Sequence, residues 1–295
     1  MSDETILIES MENRQIGQHR FYFVLTRIDS DPLDSKSWLA IKGVEIYLLP
    51  QNWRRSGHES ISNNNAMPQL IAHGGGEIAG NHVTNSLQAL NKTYDLGQRF
   101  IEMDFSWTSD NHLVLIHDWN ETYRQHFSMH SKAPDLNKFN RLSMNYGLTQ
   151  LNLEQLLAWL HERPDAKIIT DIKARNLEGL AYIAKNAGRM KGQFMPQIYN
   201  INEYNQAVAL GFEKIIFTVY RTNISDAQLL DFASSHVLAA VTLPVNRATQ
   251  GTLAQQLKNK GLFVYAHTVN QAVFFDFLQS KGVEGIYSDV IFPGE

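Results

Sequence analysis

From residue 69 onward, short apolar runs alternate with segments whose apolar residues recur every three or four positions, the pattern of parallel strands joined by helices. The runs at 69–72 (QLIA), 100–106 (FIEMDFS), 113–117 (LVLIH), 167–173 (KIITDIK), 194–198, 214–219, 237–243, 262–269 and 285–289 predict strands. Between them, 86–97, 153–162, 204–211, 225–234, 252–261 and 271–282 predict helices, several closed by a glycine. Nine runs compete for the eight places of a (β/α)8 barrel. The surplus one is expected to be 113–117, returning antiparallel after a turn at 107–111 (WTSDN). Residues 119–152 hold no clean strand and exceed an ordinary connection, so they predict a folded excursion over one face.

The first 66 residues follow a different rhythm. Runs at 20–28 (RFYFVLTRI) and 38–49 (WLAIKGVEIYLL), split by SDPLDSKS, predict two strands, and RRSGHESISNNNAMP predicts a polar linker in which His58 is a solvated loop residue. The expected organisation is a small β-rich extension with its linker over 1–66 and an α/β barrel over 67–295.

Alternation also picks out the chemistry. In a strand, side chains two apart share a face, so Glu102 and Asp104 project together while Ile101, Met103 and Phe105 fill the other side. Alone, such a pair reads equally as polar groups on an exposed strand face or as a functional pair. In a barrel it points inward, where carboxylates need a cation or hydrogen-bond donors. The same spacing recurs at Asp171 and Lys173. His73 ends the first strand and His117 the returning one, so imidazoles, carboxylates and an ammonium are expected on one rim.

Composition narrows the classes. A hydrophobic fraction of 43% and a charged fraction of 19% are those of a folded globular chain. A net charge of −4 without a basic stripe argues against a nucleic-acid partner, and no apolar run approaches a membrane span. With no cysteine, any metal is held by oxygen or imidazole. The acidic start lacks the features of a signal peptide, so a soluble, cytoplasmic protein is expected, with export through a trimmed signal as the alternative.

Over residues 70–293 the motifs resemble the glycerophosphodiester phosphodiesterases, within the phosphatidylinositol-phospholipase-C-like TIM barrels. The family's His-Arg-Gly corresponds to His73-Gly74-Gly75 and its Glu-Asn-Thr to Thr84-Asn85-Ser86. Its Glu-x-Asp, Thr-x-Asp and His-Asp correspond to Glu102, Asp104, Thr108, Asp110, His117 and Asp118, with the same step of 15 from glutamate to histidine. Glu-x-Lys appears as Asp171-Ile172-Lys173, Trp-Thr-Val-Asn as His267-Thr268-Val269-Asn270, and the closing motif as GVEGIYSD, residues 282–289. Three departures stand out. Gly74 lacks the arginine that the resemblance places on the substrate phosphate, Asp171 is one methylene shorter than glutamate, and His267 makes an apolar wall titratable. Asp-x-Lys without His-Arg-Gly also resembles the sphingomyelinase D enzymes.

The resemblance implies a metal-dependent phosphodiesterase acting on a small-molecule or lipid-derived phosphodiester. Glu102, Asp104 and Asp171 would hold Mg²⁺ or Ca²⁺, Lys173 a phosphate oxygen, and His73 and His117 would exchange protons, since an unperturbed imidazole titrates at about 6.5. Asn85 reads equally as a helix cap or as a neighbour of the metal, and His267 as a pocket wall. The alternatives are a phospholipase-D-like or cyclising enzyme and a non-catalytic phosphate-binding barrel. Three clustered carboxylates repel one another, so Asp171→Asn is expected to change metal-free stability little.

Overall fold

The structure, a computed structural model, describes residues 67–129 and 132–293 together with three strand segments nearer the N-terminus. The chain divides into two compact units, Met1–Asn64 and Asn65–Glu295. In the first, β1 (Thr5–Ile8), β2 (Phe21–Thr26) and β3 (Val44–Leu48) form an antiparallel sheet in that order. The last two fall within the expected runs. The first lies in the acidic N-terminal stretch, where TILI is too short to stand out. The linker and His58 lie outside the described residues.

The second unit is a closed barrel. Its strands are β4 (Leu70–Ala72), β5 (Phe100–Trp107), β6 (Leu113–Leu115), β7 (Lys167–Ile172), β8 (Phe194–Ile198), β9 (Ile216–Thr218), β10 (Ala240–Pro244), β11 (Phe263–His267) and β12 (Gly285–Ser288). The order β4-β12-β11-β10-β9-β8-β7-β5 closes through β4 against β5, every neighbouring pair parallel, which makes eight strands in a (β/α)8 TIM barrel. β6 is the ninth, paired antiparallel with the overhanging end of β5 through Phe105–Leu115, Ser106–Val114 and Trp107–Leu113. A short hairpin is cheaper to close than a crossover, which explains why the surplus run returns on the spot.

Inside the barrel, Ile71, Ile169, Met195, Ile216, Ala240, Tyr265 and Tyr287 meet in one apolar layer. Glu102 is in register with Ile169, and Asp104 with Asp171, so all three acids share the inward face, with Asp104 and Asp171 nearer the carboxyl end. That face is closed at the other end by the apolar layer. The inward acids are therefore reached only from the carboxyl-end rim.

Helices follow the strands as the periodicity predicts, among them Leu87–Asp95, Leu153–His161, Asp226–Ser235, Leu253–Asn259 and Ala272–Ser280. The excursion after β6 contains helices Glu121–Phe127 and Leu136–Asn140, and it buries a core of its own, with Tyr123, Phe127, Phe139, Met144 and Leu148 packed on Val114 and Ile116. Among the described residues, no helix is long and apolar enough to cross a membrane.

Candidate active site

The three inward acids gather towards the carboxyl ends of the strands. Glu102, Asp104 and Asp171 are buried, and each offers an oxygen within 4.8 Å of the others. Glu102 Oε2 accepts from the Gly74 backbone N–H at 2.7 Å, whereas Oε1 is buried without a hydrogen-bond partner. Asn85 grips Asp104 at two points. Its Nδ2 donates to Oδ2 at 2.7 Å, and its Oδ1 accepts the Asp104 backbone N–H at 2.8 Å. The neighbouring helix is capped instead by Ser86, whose side chain accepts from Ala89 N. Asn85 is thus a carboxylate-orienting residue, held at φ 50°, a left-handed conformation that asparagine tolerates better than most residues.

Lys173, just past β7, bridges two of the acids, its Nζ lying 2.6 Å from Asp104 Oδ1 and 2.7 Å from Asp171 Oδ2. The Asp104 contact is an ion pair without hydrogen-bond geometry. Burial opposes the charge on Lys173, but Asp104 and Asp171 overcome it and raise the ammonium pKa further. Asp171 is the hub of the cluster. Its Oδ1 accepts from Tyr199 OH at 2.5 Å and Arg221 Nη2 at 3.3 Å, its Oδ2 from Lys173 and, at 2.8 Å, Tyr220 OH. Burial alone would raise its pKa, and the Lys173 and Arg221 cations turn the shift strongly downward.

This geometry corrects the expectation for Asp171→Asn. Repulsion among the acids does not dominate at this position, because Lys173, Arg221 and two phenols already stabilise the charge. Neutralising it leaves Arg221 without its carboxylate and Lys173 with Asp104 alone, so the variant is expected to lose stability without any metal. Repulsion falls on Glu102 instead. Burial, followed by the charge of Asp104, pushes its pKa up to about 8.

Two imidazoles flank the acids, and both act electrostatically on Asp104. His73 Nδ1 meets Asp289 Oδ1 at 2.8 Å, and Asp289 is held in turn by Asn270 Nδ2 on Oδ2 at 2.7 Å and by its own N–H on Asn270 Oδ1 at 2.8 Å. His117 Nδ1 meets Asp118 Oδ2 at 3.0 Å, while Asp118 Oδ1 accepts the backbone N–H groups of Asn120 and Glu121. With each Nδ1 fixed on a carboxylate, Nε2 is the atom each ring can offer. Burial works against protonation of His73, but the Asp289 hydrogen bond and charge, then Glu102 and Asp104, raise it to about 9.

His267 lies edge-on to His73, ring centroids 4.8 Å apart, and stacks on Tyr220. Burial, then the charge of His73, pushes it down to about 3. The expected titratable wall therefore stays neutral at ordinary pH. Strand order brings all the sequence-predicted residues, His73, Asn85, Glu102, Asp104, His117, Asp171, Lys173 and His267, to this one rim. Sequence reasoning missed Tyr199, Tyr220 and Arg221, and it quoted Asn270 and Asp289 without giving them a role. Their signal was position, since each stands at or just beyond the carboxyl end of a predicted strand.

The His73–Asp289 pair ties the first strand of the barrel to the last, and its contribution to stability has a defined pH window. His73, raised from 6.5 to about 9, contributes fully below 6.5 and loses its contribution as pH rises through 9. Burial would raise Asp289, but the His73 hydrogen bond and charge lower it from 3.8 to about 2, so its share is full above 3.8 and lost as pH falls through 2. Asp289→Asn is expected to cost on the order of 2 kcal/mol at pH 5.5, with a smaller deficit at pH 9.5. Thermal melts at the two pH values check this, and an equal deficit at both would show that the charge pair is not what Asp289 contributes.

The donor set fits a hard divalent cation: three carboxylates converge, one buried oxygen lacks a partner, and no sulfur ligand is near. Comparison with known proteins agrees with the geometry. The barrel is similar to crystal structures of glycerophosphodiester phosphodiesterases from Parabacteroides distasonis (18% identity, TM-score 0.59, 75% of this chain and 92% of that one) and Thermotoga maritima (15%, 0.61, 75% and 94%). It is also similar to an Oleispira antarctica phosphodiesterase in complex with the product sn-glycerol-3-phosphate (19%, 0.55, 75% and 93%). No curated protein matches the sequence. Residues 75–176, the stretch that holds Glu102, Asp104, His117, Asp171 and Lys173, match the glycerophosphoryl diester phosphodiesterase family model.

Proposed function

We propose that the barrel hydrolyses glycerophosphodiesters, or lysophospholipid-like phosphodiesters, using a divalent cation such as Mg²⁺ or Ca²⁺ held by Glu102, Asp104 and Asp171. The observation that carries this reading is the convergence of three buried carboxylates, the Lys173 ammonium and two carboxylate-oriented imidazoles at one barrel mouth. A phosphodiester resists attack because it is anionic and its leaving alkoxide is poor. Catalysis needs charge neutralisation, a proton acceptor for the nucleophile and a proton donor for the leaving oxygen.

A cation on the three carboxylates would supply Lewis-acid neutralisation of the phosphate. The remaining work belongs to side chains. Lys173, between Asp104 and Asp171, would offer N–H donors to a phosphate oxygen. His73 and His117 present Nε2, and between them they take the proton from the attacking oxygen and return one to the leaving oxygen. Asp289 and Asp118 hold the rings so that neither has to be oriented during the reaction. The sn-glycerol-3-phosphate bound to the Oleispira antarctica relative supports a glycerol phosphate product.

The second reading, a sphingomyelinase-D-like or cyclising reaction, is favoured by the lack of a side chain at Gly74 beside Asp171-Ile172-Lys173. Phosphorus NMR of a glycerophosphocholine reaction containing Mg²⁺ or Ca²⁺ separates the two. Glycerol 3-phosphate is the expected product. An accumulating cyclic phosphate would favour the second reading, and absence of turnover would reject both.

A further inference from the structure

We propose that Arg221 is a substrate-binding residue whose guanidinium holds two non-bridging oxygens of the phosphate. The inference rests on the phosphodiester reading above and concerns how the site compensates for the bare turn after β4. At Gly74 φ is +55°, and an added Cβ would lie 2.6 Å from the Val83 Cα. Val83 cannot yield cheaply, because its own segment runs through positive φ at Ala79, Val83 and Asn85, and Asn85 holds Asp104. The turn as it stands has no room for a side chain, so any guanidinium that meets the phosphate comes from elsewhere on the rim.

Arg221 ends the turn of 3-10 helix, Val219–Arg221, that follows β9, on the Asp171 side of the cluster. Its side chain is 28% exposed yet well placed: Nη1 donates to Ile172 O at 3.0 Å, and the guanidinium lies 4.2 Å above the Tyr199 ring. Its Nη2 contact with Asp171 Oδ1 is long, at 3.3 Å. The Tyr220 side chain is its other partner. Three partners for a group with five N–H donors leave donors to spare in a rigid plane. Lys173 differs, being 16% exposed and pinned between two carboxylates at 2.6 and 2.7 Å. A point charge between acids and a planar fork beside them are complementary, and a bidentate fork suits the geometry of a phosphate.

Calorimetric titration with sn-glycerol 3-phosphate, in saturating Mg²⁺ or Ca²⁺, tests this on the wild type, Arg221→Gln and Arg221→Lys, with a separate metal titration of each. Arg221→Gln is expected to weaken glycerol phosphate binding about tenfold to a hundredfold, the span for losing charged hydrogen bonds, and Arg221→Lys to recover only part of it. Metal affinity should hold or rise, because a like charge beside Asp171 has gone. Unchanged glycerol phosphate affinity in Arg221→Gln overturns the proposal. So does a parallel fall in phosphate affinity, metal affinity and melting temperature, which would make Arg221 a mere brace for Asp171. A wild type that binds metal but not glycerol phosphate defeats the phosphodiester reading itself, and this inference with it.

Discussion

Glu102→Gln is expected to abolish the rise in melting temperature that Mg²⁺ or Ca²⁺ confers, while leaving the metal-free protein at least as stable as the wild type. The reason is the position of this carboxyl. It is buried, receives one hydrogen bond from Gly74, and is pushed up to about 8 by burial and then by Asp104. A carboxyl raised above its ordinary value of 4.5 destabilises the fold as pH climbs between those two values, by up to about 1.4 kcal/mol per pH unit. Glutamine resembles the protonated acid that the metal-free site prefers, so the penalty disappears. A metal must displace that proton, so binding at pH 7 should release a proton and strengthen with pH up to about 8. Calorimetry in buffers of different ionisation enthalpy counts the proton. Equal metal stabilisation in variant and wild type would remove Glu102 from the ligand set.

Replacing His73 or His117 with alanine is expected to lower kcat at least about 100-fold, the usual range for losing a general acid or base. The two variants should differ in stability. His117 pairs with Asp118, which keeps the N–H groups of Asn120 and Glu121 as partners, so His117→Ala should fold normally. His73→Ala leaves the buried Asp289 without its cation and should melt lower. Substrates with an activated leaving group, such as bis(p-nitrophenyl) phosphate, need no proton donor, and whichever variant regains rate on them has lost the acid. A variant that turns over glycerophosphocholine at near-normal rate would take its histidine out of the mechanism.

Much of this site was legible because it is built on strands. A period of two put Glu102 beside Asp104 and Asp171 beside Lys173, and short apolar runs placed His73 and His117 at strand ends. What stayed hidden depends on closure of the barrel. Asp289 reaches His73 only because β12 pairs with β4, 216 residues away in sequence, and Tyr199, Tyr220 and Arg221 reach Asp171 only because β8 and β9 follow β7 around the sheet. The last three are unremarked polar residues just past strand ends when read in one dimension, and Asp289, although it closes a quoted motif, shows no partner there. The expected sign of the Asp171→Asn effect reverses for the same reason, since the acids and Lys173 were visible in sequence while Tyr199, Tyr220 and Arg221, the other three partners of Asp171, were not.

The excursion between β6 and the helix Leu153–His161 illustrates a different limit. Its length announced a folded segment, but Tyr123, Phe127, Phe139 and Met144 show no clean period, because they come from short helices and turns that pack on one another. The extra strand Thr5–Ile8 is hidden by its brevity, and its pairing with β2 is a long-range fact.

The measurement closest to the central claim is the rate of glycerophosphocholine hydrolysis in EDTA and again after adding back Mg²⁺ or Ca²⁺. The carboxylate cluster as a working metal centre predicts that turnover vanishes in EDTA and returns with the cation in wild type, and that it does not return in Glu102→Gln. Full turnover in EDTA, or recovery of wild-type rate by Glu102→Gln, would contradict it.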